Sequence, residues 1–264
     1  MRIILEALKI DKMPKTRLVH LWFFLLFALS GSAYVTMPTG GQIDLFQTQL
    51  AAFLARQDVL PFPPVAWLSI LFRQVGLVVI SLWFILLYAI HWLFASSETT
   101  GPVDVSQGSM EIPPLPVPKD QSPTGVAVRA FPVLLLLAVA MILPYLISIP
   151  IMGIPFYALI SMLSMTVFVV VFEDKTLPSA MEASYRMTRG MKFFIFISFM
   201  FLGSITTMAG DLLRMVMGSS LWAGSLIRAF FFALKTLAFG RLAAMFYRSL
   251  SAREDMGIGP PARS

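Results

Sequence analysis

The sequence predicts an all-α, polytopic membrane protein with about six transmembrane helices and short amphipathic helices at the membrane interfaces. Of its 264 residues, 58% are hydrophobic and only 13% are charged. Soluble domains average roughly 45–50% apolar and about 25% charged residues. The apolar residues also form continuous runs of spanning length. These runs lack the alternation of barrel strands, so helices are the structure that satisfies their backbone in lipid.

Six apolar runs are long enough to be read as spans within a single membrane domain, 1–264. They cover 18–35, 65–94, 130–149, 154–172, 193–213 and 221–241. Between the third and fourth runs, two prolines and a glycine in 149–155 cannot continue a helix and predict a tight hairpin. The first run has an alternative interpretation as a signal peptide, and cleavage before Tyr34 would leave five spans.

The distribution of Lys and Arg predicts the orientation. If the amino terminus faces the cytoplasm, fifteen of these residues lie in cytoplasmic segments, and only Arg56 and Arg214 lie in segments on the other side. This asymmetry follows the positive-inside rule and predicts that both termini are cytoplasmic.

Three segments outside the spans also carry information. Segments 1–13 and 42–56 place apolar residues at helical spacing and predict interfacial helices, the first on the cytoplasmic surface and the second on the outer surface. Segment 98–124 is rich in Pro, Ser, Thr and Gly, which predicts a flexible linker. A proline motif that binds a partner is the alternative interpretation of this linker.

A third amphipathic helix is predicted at 178–190, between the fourth and fifth spans. Pro178 suits the first helical turn, and Gly190 suits a left-handed cap at the other end. Small residues and methionines share one face of this helix, namely Ala180, Ala183, Ser184, Met187 and Met191.

This segment resembles the recurring signature of a bacterial six-helix membrane family. That family includes the membrane domain of glycerophosphoryl diester phosphodiesterases and the uncharacterised YciC-like membrane proteins. Its pattern is Ala, Ser, an aromatic residue (commonly Trp), Leu, a basic residue and Gly. The corresponding residues here are Ala180, Ser184, Tyr185, Met187, Arg189 and Gly190. Tyr185 replaces the usual Trp, and Met187 replaces the usual Leu.

The resemblance implies a six-helix fold and the bacterial cytoplasmic (inner) membrane as the location. Most members of the family have no assigned chemistry. The soluble phosphodiesterase domain of some relatives has no counterpart in this sequence, so its activity is not carried over. We therefore expect a protein that is not an enzyme.

Three cations lie within the predicted spans, at Arg73, Arg228 and Lys235. A charged residue in hydrocarbon costs about 2.5–3.5 kcal/mol on insertion scales. We expect these cations to face a polar cavity and to contact an anionic lipid phosphate, with Asp211 as a possible acidic partner. The alternative is that Arg73 and Arg228 extend to the interface while backbone or water satisfies Lys235 within the bundle.

The remaining polar residues indicate neither a metal centre nor a cofactor site. His20 and His91 lie near the cytoplasmic ends of their spans and fit the interfacial belt, with a shared metal as the alternative interpretation. The sequence has no cysteine, which excludes disulfides and thiolate chemistry. In the fifth span, Gly203 and Thr207, or Thr206 and Gly210, have the four-residue spacing that allows close helix approach.

These observations predict a non-enzymatic role, structural or regulatory, in envelope and lipid homeostasis. The expected partners are membrane lipids, anionic ones above all, and another membrane protein, with no nucleic acid. A carrier or channel for a small anion or lipid is the alternative function, and an intramembrane enzyme is the third.

Overall fold

The computed structural model describes residues 2–10, 16–37, 41–55, 59, 61–98, 122–148, 154–217 and 220–255. Within these ranges the chain forms eleven α-helices and no β-strand, which confirms the all-α fold class. The helices are α1 (Arg2–Leu8), α2 (Thr16–Val35), α3 (Gly41–Leu54), α4 (Val65–Glu98), α5 (Pro123–Ala140), α6 (Ile142–Ser148), α7 (Ile154–Leu163), α8 (Thr166–Phe172), α9 (Leu177–Met187), α10 (Lys192–Met217) and α11 (Leu221–Asp255).

In the described part of the chain, five helical segments are long and apolar enough to cross a membrane, so the chain is a multi-pass membrane protein. They are Arg17–Val35, Val65–Ser97, Pro123–Tyr145, Lys192–Met217 and Trp222–Arg253. Each contains most or all of a predicted span. The predicted fourth span is divided between α7 and α8, with a break at Ser164 and Met165.

The third span differs most from its predicted boundaries. Helix α5 begins at Pro123, seven residues before the predicted start, because Ser122 caps it. The Ser122 hydroxyl accepts a hydrogen bond from the Gly125 N–H at 3.1 Å, and Pro123 occupies the first turn. At the other end the helix is interrupted at Met141, three residues before Pro144, which cannot donate a backbone hydrogen bond to Ala140.

Helix α11 is the centre of the bundle and packs against α2, α4 and α10. Helix α5 covers the outer face of α4, α8 lies against α5 and α9, and α7 lies against α10. With 35 residues, α11 is about 52 Å long, well beyond the roughly 30 Å of the hydrocarbon core. Helix α4 has 34 residues and is similarly long.

Helices that are consecutive spans run antiparallel, which defines two ends of the bundle, while α4 and α11 run parallel. Trp22, near the start of α2, packs against Tyr88 and His91, near the end of α4. We call this end, which carries α9, the α9 end. Phe46 of α3 packs against Trp67 at the start of α4, and we call the opposite end the α3 end.

The backbones of α11 and α4 approach most closely at Gly240. A side-chain Cβ at this position would lie 2.6 Å from the Ile85 carbonyl oxygen and 3.1 Å from the Tyr88 Cβ. The contact with α2 also depends on small residues, because Gly31 packs against Ala229 and the buried Ser30 hydroxyl donates to the Leu26 carbonyl of its own helix. Small residues allow close helix packing where lipid provides no hydrophobic driving force between helices.

An aromatic cluster fills the α9 end. Tyr247 of α11 packs against Phe168 and Phe172 of α8, with ring centroids 5.2 and 5.6 Å apart, and Phe94 of α4 packs against Phe172 at 6.1 Å. These contacts join the long helices to α8 and hold the α9 end together.

The three predicted interfacial segments contain α1, α3 and α9, but these helices end before the predicted boundaries, so the described residues 9–10, 55 and 188–190 are not helical. Helix α1 packs against α11 and α10, with Ala7 fully buried and Leu5 exposed, so one of its faces contacts protein. Residues 1 and 11–13 of that prediction lie outside the described residues, as do 56 of the second segment and 149–153 of the predicted hairpin. Almost all of the predicted linker 98–124 also lies outside them, and its last residues already belong to α5.

We predict that Gly240→Ala lowers the thermal stability of the protein in detergent. The added methyl group must displace the Ile85 carbonyl or the α4 backbone, and overpacking of this kind costs about 1–3 kcal/mol. The matched control is Gly76→Ala, since no atom lies within 4 Å of a Cβ at this helical glycine. Thermal unfolding followed by circular dichroism measures both. Equal melting temperatures for the two variants would contradict the importance of this contact.

Candidate functional site: a cationic cavity among α2, α10 and α11

A partly open cavity of about 270 Å³ lies at the α3 end, among α2, α10 and α11. Its lining combines hydroxyl groups, aromatic rings and four charged side chains. The lining residues are Tyr34, Thr206, Thr207, Gly210, Asp211, Arg214, Ile227, Arg228, Phe231, Phe232 and Lys235.

Close packing between α10 and α11 places the charges on this cavity. Gly210 lies against the Phe231 ring, where a Cβ would be 3.1 Å from a ring carbon, and Gly203 lies against Phe239. These antiparallel contacts put Lys235 at the level of Thr206 and Thr207. Arg228 lies two turns, or about 10 Å, nearer the α3 end. The predicted close approach of helices is therefore present at Gly210, while the contact at Gly203 is an ordinary one.

The cavity carries three cations and one acid. The Arg214 Nη1 lies 3.4 Å from the Asp211 Oδ1. Both side chains are substantially exposed, so this ion pair contributes little stability. Arg228 and Lys235 form no hydrogen bond or salt bridge with any residue in the described part of the chain. Asp211 is paired with Arg214, so neither Arg228 nor Lys235 forms an ion pair with a described residue.

Arg73, the third embedded cation, has a different environment and does not line the cavity. Its guanidinium donates hydrogen bonds to the carbonyl oxygen of Thr36, just beyond the end of α2, and to the Thr36 hydroxyl at 2.9 Å. The structure thus brings together two of the three predicted cations, Arg228 and Lys235. It adds Arg214 and Tyr34, which had not been singled out as ligands from the sequence.

Helix α9, which we call the signature helix because it carries most of the residues that resemble the family signature, lies at the opposite end of the bundle. Its predicted buried face is observed, with Ala180, Ala183, Ser184 and Met187 all at most 7% exposed. Tyr185 and Arg189 are exposed, and Gly190 has the predicted left-handed backbone, with φ at 84°. The Lys192 ammonium lies 3.5 Å above the Tyr185 ring centre, a cation–π contact at the start of α10.

Ser184 connects the signature helix to the broken fourth span. Its hydroxyl donates a 2.7 Å hydrogen bond to the carbonyl oxygen of Met162, in the last turn of α7. Helix ends leave carbonyl groups without intrahelical partners, so a serine at this position satisfies one of them. A polar residue inside an otherwise apolar face has a structural role here.

The two histidines do not share a site. His91 packs its ring edge-to-face against Trp22 and lies 3.1 Å from the Thr124 hydroxyl of α5, while His20 is exposed. Among the described residues, no group of three or more His, Asp or Glu side chains could hold a metal ion.

One buried cation was not anticipated. Arg241, assigned from the sequence to the cytoplasmic edge of the sixth span, is only 5% exposed. Its Nη2 lies 3.9 Å from the Glu6 carboxylate of α1, while its Nε and Nη1 have no hydrogen-bond partner within the described structure. Glu6, the acidic residue of α1, was the signal in the sequence, but its pairing with Arg241 depends on how α1 packs against α11.

A second polar cavity, of about 550 Å³, lies at the α9 end between α5, α8 and the segment after α8. Arg129 and Lys175 line it together with Asp174. Lys175 is already paired with Glu173 at 2.6 Å. Acidic side chains of the protein therefore compensate the positive charge at this cavity better than they compensate the positive charge of the cavity at the α3 end.

We predict that Ser184→Ala lowers stability by about 1 kcal/mol, because the Met162 carbonyl loses its hydrogen-bond donor. Ser249→Ala, at an exposed position of α11, is the control and should be neutral. Thermal unfolding in the same detergent measures both variants. If Ser184→Ala is as stable as the control, the hydrogen bond does not hold α9 to α7.

Comparison with known proteins provides no relative from which a role could be transferred. No protein-family model, curated protein or solved structure matches the chain.

Proposed function

We propose that this multi-pass membrane protein binds the anionic headgroup of a membrane lipid in the cavity among α2, α10 and α11. The observation that carries the proposal is that Arg228 and Lys235 both face this cavity and have no partner among the described residues. The role that fits is structural or regulatory in membrane lipid homeostasis.

Phosphate chemistry matches the groups on the cavity. The planar guanidinium of Arg228 can donate two parallel hydrogen bonds to phosphate oxygens, while the Lys235 ammonium provides a compact charge two turns deeper. Arg214 and the Tyr34 hydroxyl lie on the same lining and offer further donors. An anion bound here would compensate the cost of placing these cations in a span.

We assign no catalytic step to the cavity. Its lining holds one carboxylate, Asp211, which lies 3.4 Å from Arg214 and is the most exposed member of that pair. Lys235 and Tyr34 are the other lining groups that could exchange a proton, and we assign both to binding the headgroup. A non-enzymatic binding role is therefore the simpler proposal.

The second candidate function is a carrier or channel for a small anion or lipid. It is favoured by the depth of Lys235, which extends the positive charge from the mouth of the cavity into the bundle. Anion flux into liposomes containing the purified protein would support this alternative, and Lys235→Gln should abolish that flux.

We further propose the bacterial cytoplasmic membrane as the location, with both termini in the cytoplasm. The asymmetry of Lys and Arg along the sequence supports this orientation. The resemblance of residues 180–190 to the signature of the bacterial six-helix family supports the location. The α9 end is then cytoplasmic, and its exposed residues Tyr185 and Arg189 are available to a membrane-protein partner.

We predict that the double variant Arg228→Gln/Lys235→Gln loses most of the anionic lipid that co-purifies with the wild-type protein. Hydrogen bonds to charged groups contribute about 1.5–3 kcal/mol each, so the loss should be about tenfold or more. Mass spectrometry of lipids extracted after gentle purification measures the ratio of anionic to zwitterionic lipid.

Arg73→Gln is the matched control, because Arg73 is also a cation within a span but does not line the cavity. It should keep the wild-type lipid ratio. Arg228→Lys/Lys235→Arg keeps both charges and should retain the lipid, which separates loss of binding from loss of folding. A double Gln variant that elutes as a folded protein and keeps its anionic lipid would overturn the proposal.

A second prediction concerns orientation and uses the absence of cysteine from the sequence. Ala55→Cys at the α3 end should react with a membrane-impermeant maleimide on intact cells, because this end is proposed to face outward. Ser179→Cys in α9 should react only after the membrane is permeabilised. Both positions are exposed, so the opposite labelling pattern would contradict the proposed orientation.

A further inference from the structure

A large apolar groove lies beside the cationic cavity, between α7, α10 and α11, with a volume of about 630 Å³. Aromatic and methionine side chains dominate its lining, among them Phe196, Phe199, Met208 and Phe239. Gly203 also lines the groove, where a Cβ would make ordinary contact, at 3.5 Å, with the Phe239 ring.

The groove adjoins the cationic cavity at Thr207, which lines both. Along α10, the cavity extends from Thr206 to Arg214 and the groove from Phe196 to Met208. Along α10, the apolar groove therefore begins at the level where the charged lining of the cavity ends. From Thr207 it continues about 17 Å along α10 towards the α9 end, past the midpoint of this helix.

We propose that this groove holds an acyl chain of the lipid whose anionic headgroup binds Arg228 and Lys235. This inference rests on the proposed function and specifies its ligand. The ligand is an intact anionic phospholipid, drawn from the leaflet at the α3 end, and not a free phosphate ion.

The order of polar and apolar surfaces carries this inference. A lipid in the leaflet at the α3 end places its phosphate near that end and its chains towards the bilayer centre. The cavity and groove present positive charge and then apolar surface in the same order and direction. Inorganic phosphate shares the headgroup chemistry but would use only the cavity and leave the groove to any bulk lipid.

The groove also predicts how strongly chain length matters. A chain in the groove exchanges contacts with lipid for contacts with protein, so the gain comes from packing and not from the hydrophobic effect. We expect filling the groove to weaken binding of a long-chain lipid by about fivefold, a modest effect for this reason.

The experiment compares three probes on the purified full-length protein: dioleoyl phosphatidylglycerol, dihexanoyl phosphatidylglycerol and inorganic phosphate. Native mass spectrometry or thermophoresis gives the affinities. Ser204→Trp and Gly203→Leu fill the groove independently of each other, so that one remains informative if the other fails to fold. Leu212→Trp is the control, because Leu212 is an exposed residue of α10 that lines neither cavity.

The groove-filling variants should lose affinity for the long-chain lipid and keep their affinity for the short-chain lipid, while Leu212→Trp changes neither. Unchanged long-chain affinity in a folded groove variant would overturn this inference alone. Equal affinity of the wild-type protein for inorganic phosphate and for the long-chain lipid would do the same. If Arg228→Gln/Lys235→Gln retains its affinity for both lipids, the proposed headgroup site fails as well.

Discussion

The close approach of α11 to α4 at Gly240 is the contact on which the rest of the bundle depends. Helix α11 touches α2, α4 and α10, and at Gly240 it lies so near α4 that a single methyl group would meet a backbone carbonyl. A second tight contact with α11 occurs at Gly210 of α10, where a Cβ would lie 3.1 Å from the Phe231 ring. Lipid tails are as apolar as the side chains, so there is no hydrophobic driving force between helices in the membrane. Close packing of this kind therefore selects one arrangement of the helices.

Three of the five cations of the central helix lie in two different environments, which its packing creates. Arg228 faces the cavity near the α3 end, and Lys235 faces the same cavity two turns deeper. Arg241 is buried in protein, where α1 covers it and Glu6 is its nearest charge. The cost of an embedded charge depends on what it contacts, so we assign a structural role to Arg241 and propose a binding role for Arg228.

The sequence was sufficient for the fold class and for most span positions because hydropathy over twenty residues is a strong signal. Helix ends were less predictable. The start of α5 is set by the Ser122 cap and Pro123, which lie in polar sequence, and the break in the fourth span is accompanied by the hydrogen bond from Ser184 to Met162. Neither feature changes the hydropathy of its segment.

The site was predictable only in part. Arg228 and Lys235 are seven residues apart, so helical periodicity alone put them on one face, and the structure has both on one cavity. Arg73 lies on another helix, and its contact with Thr36 depends on how α2 and α4 align. Tertiary packing alone likewise accounts for two further features. Helix α1 covers Arg241, and the groove lies beside the cationic cavity at Thr207.

The most direct test of an anionic lipid at this site is an experimental structure of the protein in nanodiscs that contain phosphatidylglycerol. We predict phosphate density in contact with both Arg228 and Lys235, together with acyl-chain density that follows α10 past Thr207. Arg228 extended to the membrane surface, with Lys235 hydrogen-bonded only to water or backbone in a cavity without phosphate density, would contradict it.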